Sequence, residues 1–166
     1  SSTRALRDVT EKHGGTYYSS AVGEVNVVTK MKAVSAVIGG EGNGGIIDPQ
    51  LHYGRDSLIG TALFLSLLST SKLSVSELKK TYPEYFMGKG KIQLEPTMDV
   101  DAFLLAIEKK YANNKPSTID GVKIDFEASW VHLRKSNTEP IIRVYTEAPS
   151  QEDADLLMNR FKEELL

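Results

Sequence analysis

The stretch HLRKSNTEPIIRVYTEA, residues 132–148, alternates apolar and polar side chains on either side of a short polar connection. Alternation at period two describes two antiparallel strands, and it leaves little choice about which face each side chain occupies. Val131 and Leu133 share one face of the first strand, and Ile142 and Val144 share one face of the second. With these four turned to a core, Arg134 and Arg143 project from the opposite face, on neighbouring strands at the same end. Ser136 and Thr138 lie in the connection between them. Two guanidinium forks, two hydroxyls and several loop amides around one small volume suit a phosphate dianion. The competing reading is an ordinary hairpin whose surface arginines pair with Glu139 and Glu147.

The elements around this hairpin imply a small α+β domain on an antiparallel sheet. Residues 91–95, KIQLE, read as a strand, and Phe103, Leu104, Ile107 and Tyr111 form the stripe of a helix. STIDGVKIDF, from residue 117, reads as a hairpin turning at Asp120-Gly121. Ser150 stands as the N-cap of a last helix bearing Ala154, Leu157, Met158 and Phe161. Towards the N-terminus, Pro83 ends a short helix, and Gly88 and Gly90 read as a loose connection. The domain boundary is placed there, giving domains 1–82 and 83–166.

In the first domain, Leu6, Val9 and His13 fall at helical spacing, and Gly14-Gly15 stops that helix. TYYSSAV suits a short strand, EVNVVTKMK a helix and AVSAVIGG a buried strand, which predicts an α/β layer of mixed or parallel strands with its first strand missing. DSLIGTALFLSLLS is apolar almost all round and predicts a buried helix. Ser74 and Glu77 form a capping box for the next one.

Residues 39–45, GGEGNGG, hold five glycines around Glu41 and Asn43. Such a loop can bring its backbone close to a ligand and present both side chains at its tip. A carboxylate accepts hydrogen bonds from two adjacent hydroxyls, as on a sugar ring, and Asn adds a donor or an acceptor. A flexible linker is the other reading of the same composition. A phosphate-binding P-loop is disfavoured, since the Lys-Ser/Thr ending is absent and Glu41 would repel the anion.

Composition removes several classes of function. The chain of 166 residues has no cysteine, which excludes disulfides, thiolate zinc sites and a cysteine nucleophile. A formal net charge of −2 gives no support for a nucleic-acid or membrane surface. No signal peptide opens the sequence and no apolar run is long enough to span a bilayer, so the expected compartment is the cytoplasm. His13 reads as a helix-end residue, and His52 has no partner at metal-ligand spacing. His132 shares the outward face with Arg134, where lining the same cleft and simple solvent exposure explain it equally well.

Together the two glycine- and arginine-bearing stretches resemble the phosphohexomutases: phosphoglucomutases, phosphomannomutases and phosphoglucosamine mutases. The resemblance covers essentially the whole chain, as the third and fourth domains of such an enzyme. GGEGNGG looks like the family's sugar-recognition loop, followed by HYGRD, and RKSNTEPIIRVYTEA looks like its phosphate-binding loop. The resemblance implies a truncated α/β sugar-binding domain (1–82) followed by a phosphate-binding α+β domain (83–166) similar to the TATA-binding-protein fold. It implies that Glu41 and Asn43 bind sugar hydroxyls and that Arg134, Ser136, Asn137, Thr138 and Arg143 bind phosphate. Gly45 stands where many relatives have His, so that ring's contribution is absent or comes from elsewhere. The Ser-His-Asn phosphoserine loop and the Asp-Gly-Asp-Gly-Asp-Arg magnesium loop do not occur in this sequence. The chain is therefore expected to be the C-terminal fragment of an isomerase that interconverts hexose 1-phosphates and 6-phosphates, of glucose, mannose or glucosamine. Phosphoserine, Mg2+ and the N-terminal domains would lie outside it, and the fragment alone would be inactive. A non-catalytic interaction or nucleic-acid-binding module using the basic hairpin is the alternative function.

Overall fold

Helical and strand periodicities separate along the chain in the computed structural model, which describes residues 2–93, 99–136 and 139–164. It forms two units, Ser1–Glu84 and Tyr85–Leu166. The first contains helices α1 (Ala5–Lys12) and α2 (Glu24–Val34), strands β1 (Gly39–Gly40) and β2 (Ile46–Ile47), and helices α3 (Ser57–Ser71) and α4 (Val75–Lys80). α1 stops as predicted, with His13 at its C-cap and Gly14 at φ +75°.

Three expectations for this unit need correction. The Tyr-rich stretch 16–22 lies outside any strand, since β-propensity is a weak preference that the surrounding fold overrides. The strand predicted over 33–40 shrinks to Gly39–Gly40, because Ala33 and Val34 complete the last turn of α2 and Ser35 closes it in the left-handed region. β1 then pairs antiparallel with β2, Gly39 opposite Ile47 and Gly40 opposite Ile46. Gly39 lies on the buried Met31, where a Cβ would come within 2.2 Å of the sulfur. The third correction concerns α3, of which no residue is buried. A helix apolar on every side needs cover on every side. Here Gly60 seats it against Ile46, while Leu58, Phe64, Leu65 and Leu67 remain exposed. The capping box of α4 forms as predicted, with Ser74 Oγ accepting from the Glu77 amide and Glu77 accepting from the Ser74 amide.

The second unit is a four-stranded antiparallel sheet of order β3-β6-β5-β4, with β3 Phe86–Gln93, β4 Val122–Asp125, β5 Trp130–Lys135 and β6 Ile141–Ala148. Helix α5 (Val100–Lys110) is capped by Asp99, and α6 (Gln151–Glu163) by Ser150. Val122, Ile124, Val131, Leu133, Ile142 and Val144 pack on one face against Leu104, Ile107 and Tyr111 of the α5 segment and Met158 and Phe161 of α6. Gly88 and Gly90 belong to β3 and not to a loose connection. They let α6 approach: a Cβ would meet Thr146 Oγ1 at 2.5 Å from Gly88 and Met158 Sδ at 2.8 Å from Gly90. Of the predicted KIQLE strand, residues 94 and 95 lie outside the described residues. The Asp120-Gly121 turn is present, Gly121 taking φ +73°, but β4 returns only through the single bridge Ser117–Lys123.

Phe161, fully buried between sheet and helix, anchors this unit. Phe161→Ala is expected to destabilise it by about 3–5 kcal/mol, checked by chemical denaturation followed through Trp130 fluorescence.

Candidate functional site

The register of β5 on β6 decides where the arginines go. Val131, Leu133, Ile142 and Val144 are all essentially inaccessible, and Arg134 lies directly opposite Arg143. Both therefore leave the sheet on the face away from α6, as their alternation predicts. Like charges directly opposite one another repel, and each guanidinium has taken a carboxylate. Arg134 Nε meets Asp120 Oδ2 at 3.0 Å, with both side chains half-buried, and Arg143 Nη2 meets Glu139 Oε2 at 3.3 Å on the exposed rim. Glu147, which the ordinary-hairpin reading pairs with an arginine, instead accepts a 2.8 Å bond from Trp130 Nε1 in a fully buried pair. An exposed pair such as Arg143–Glu139 contributes about 0–1 kcal/mol and exchanges readily for a stronger anion.

Two amides at the described ends of the connection are already engaged. The Ser136 amide donates to the Ile141 carbonyl at 3.0 Å, and the Ile141 amide to the Glu139 carbonyl at 2.8 Å. Those two amides close the connection and are not available to an anion. Asn137 and Thr138 lie outside the described residues.

His132 is buried, which overturns the solvent-exposed reading. Its Nε2–H donates to the Asp120 carbonyl, so the residue whose carboxylate holds Arg134 is held in turn by its backbone. Burial pushes the imidazole pKa down, and the contact with the carbonyl opposes that shift without reversing it.

In the first unit, the glycine-rich loop is a tight turn between β1 and β2. The Glu41 amide donates to the Gly45 carbonyl and the Gly44 amide to the Glu41 carbonyl, at 2.9 and 3.0 Å. Asn43, itself exposed, accepts at Oδ1 from the Gly45 amide at 3.1 Å. Asn43, Gly44 and Gly45 line an open cleft with Glu24, Gly54, Arg55, Asp56 and Ser57, and Glu41 is not among its lining residues. Arg55 is the residue that sequence reasoning left without a role. Its Nε bonds Glu24 Oε2 at 2.8 Å, and its Cδ occupies the space of a side chain at position 45, 2.6 Å from where a Cβ would stand. The place a bulkier residue would take at position 45 is filled by an arginine stem. The signal was the Arg-Asp pair just ahead of the α3 apolar run. Asp56 caps α3 through the Leu58 and Ile59 amides, which hold its carboxyl below the usual range.

Comparison with known proteins places these units in a family. Residues 1–85 match phosphoglucomutase/phosphomannomutase, alpha/beta/alpha domain III, and residues 93–164 match the phosphoglucomutase/phosphomannomutase C-terminal domain. The chain belongs to the phosphoglucomutase/phosphomannomutase family. It is 38% identical over 143 residues to a phosphoglucosamine/phosphogalactosamine mutase of Sulfurisphaera tokodaii, covering 85% of this chain and 31% of the relative. Against a phosphoglucomutase/phosphomannomutase of Thermococcus kodakarensis it is 35% identical over 149 residues, covering 90% and 33%. It thus spans about a third of the length of the curated relatives it matches. The crystal structure of a phosphoglucomutase/phosphomannomutase family protein from Burkholderia thailandensis superposes on 98% of the chain and 35% of its own, with TM-score 0.75 and 24% identity. That likeness supports the fold: an α/β unit followed by an α+β unit on an antiparallel sheet.

The lowered pKa of His132 has a sign that can be checked. Its neutral form is favoured by the fold, so this contribution to stability is present above the unfolded value near 6.5 and is lost as pH falls through the lower folded value. The midpoint of chemical denaturation should fall as pH drops from about 6.5 towards the lower folded value, and His132→Gln should show a shallower decline over that window. An NMR titration of the His132 ring should give the depressed value directly.

Proposed function

We propose that this chain supplies the sugar- and phosphate-binding loops of a phosphohexomutase. The enzyme interconverts hexose 1-phosphates and hexose 6-phosphates through a phosphoserine and a hexose bisphosphate. The observation that carries the proposal is the cross-strand pair Arg134–Arg143, set side by side by the core, with Asp120 beside one guanidinium and Glu139 beside the other. Arg134 uses Nε for Asp120, which leaves the terminal nitrogens of its fork for two oxygens of a phosphate. Arg143 can trade an exposed carboxylate for the same anion, and the Ser136 hydroxyl, with Asn137 and Thr138, would complete the cradle.

In the first unit, Glu41 would accept from sugar hydroxyls while the Asn43 amide donates to the ring or its substituents. Arg55, packed on Gly45 beside them, adds a cation to a cleft that otherwise has Glu24 and Asp56. Holding the non-reacting phosphate and the hydroxyls positions the sugar and provides binding energy remote from the bond that changes. Chemistry would come from a phosphoserine on a part of the enzyme outside these residues, so the chain alone is expected to bind and not to turn over. Among the described residues no group of three or more His, Asp or Glu side chains is placed to hold a metal ion. The relatives act on glucose, mannose, glucosamine and galactosamine phosphates by name, and a hexose monophosphate is the substrate class proposed.

Arg134→Ala should weaken binding of glucose 1-phosphate by about 1.5–3 kcal/mol, the loss of a charge-assisted pair, as read by calorimetry. Glu41→Gln should weaken glucose 1-phosphate and leave inorganic phosphate unaffected. Equal affinities in Arg134→Ala and wild type would remove the hairpin from the phosphate site.

A further inference from the structure

We infer that Lys91 is the third cation of the anion site, extending the arginine pair into a row that receives a phosphate monoester as its dianion. This inference rests on the hairpin being the phosphate clamp and adds a binding residue to it. β3 pairs with β6 so that Lys91 stands directly opposite Arg143, and β5 pairs with β6 so that Arg143 stands directly opposite Arg134. Directly opposed residues in antiparallel strands share a face. The neighbours of Lys91 confirm which face it is: Ile92 is buried in the core, and Gly90 abuts Met158 and Lys162 of α6. Lys91 therefore points the same way as both arginines, and with strands spaced as in any sheet the three Cα atoms span roughly 10 Å.

The electrostatics of the row are unusual. Three like charges on adjacent strands repel, and sheets normally alternate sign at such positions. Arg134 is relieved by Asp120 and Arg143 by Glu139, whereas exposed Lys91 has no carboxylate partner among the described residues. A dianion held by the arginines would meet this third charge at the edge of the row. The ammonium on its flexible four-carbon stem adjusts to such a ligand as a point charge. Lys89 makes the contrast. It leaves the same face two residues earlier but lies opposite Tyr145, whose other neighbour is His132, so no guanidinium stands beside it.

The test titrates the full chain with inorganic phosphate and with glucose 1-phosphate, followed by NMR, in wild type, Lys91→Gln, Lys91→Arg, Lys89→Gln and Arg134→Ala. Lys91→Gln should weaken both ligands about tenfold, the order expected for one hydrogen bond to a charged group, while Lys91→Arg and Lys89→Gln stay close to wild type. If Lys91→Gln binds as wild type does while Arg134→Ala is weakened, the clamp stands and Lys91 is not part of it. Equal losses in Lys91→Gln and Lys89→Gln would mean diffuse surface charge and would overturn the assignment. Absence of binding by wild type, or affinity unmoved by Arg134→Ala, would overturn the clamp and this inference with it.

Discussion

The pairing of β5 with β6 in a single register is what the candidate phosphate site depends on. Slipping it by one residue would turn Val131, Leu133, Ile142 and Val144 outward and drive Arg134 and Arg143 into the core. Magnitudes show which effect wins. Full burial of each aliphatic side chain is worth about 1.5–3 kcal/mol, whereas opposed like charges on a sheet cost roughly 0.2–1 kcal/mol. Hydrophobic burial therefore holds two repelling guanidinium groups side by side. That repulsion is lowered by any anion that binds both, so the strain in the free protein favours the ligand.

The two arginines are not equivalent. Arg134 is half-buried, and its partner Asp120 sits in a turn that Gly121 permits by adopting φ +73°; a Cβ there would also come within 2.2 Å of the Leu133 carbonyl oxygen. His132 fixes the same turn through the Asp120 carbonyl. Arg134 is thus set in place before a ligand arrives, with little side-chain freedom left to lose on binding. Arg143 and Glu139 are both more exposed and lie four residues apart across the connection, so Arg143 can adjust to the anion. A fixed fork beside a movable one suits the proposed role, in which the site would accept a phosphate carried at either end of a sugar.

Much of the second unit was legible because its signals are local and mutually consistent. Period two in residues 131–134 and 142–144, the Ser150 cap and the Leu104–Ile107 and Met158–Phe161 stripes all lead to one packing arrangement. The first unit was harder to read for the opposite reason. TYYSSAV has strand propensity but joins no strand, and AVSAV is equally acceptable as the end of α2. Gly88 and Gly90 were misread because glycine in a strand and glycine in a loop have the same composition; only the approach of Met158 and Thr146 distinguishes them. The arginines of the site were visible by alternation, but their counterions were not. Asp120 lies 14 residues from Arg134, and Glu147, the nearer candidate by face, is occupied by Trp130.

Arg55 illustrates a constraint that no local pattern encodes. Its stem fits only because position 45 carries no side chain, and its head is held by Glu24, 31 residues away. Glycine at 45 therefore does more than relax a loop. It exchanges whatever a larger residue would offer from the loop for a cation reaching in from the start of α3. Asn43 turns its oxygen back to the Gly45 amide, so its NH2 group is the donor that this side chain can offer a ligand. Glu41, held by the turn through its amide and carbonyl, keeps its carboxylate out of the loop's own hydrogen bonding. The loop thus offers a donor and an acceptor on a backbone fixed by three internal hydrogen bonds, which is what recognition of neighbouring hydroxyls demands.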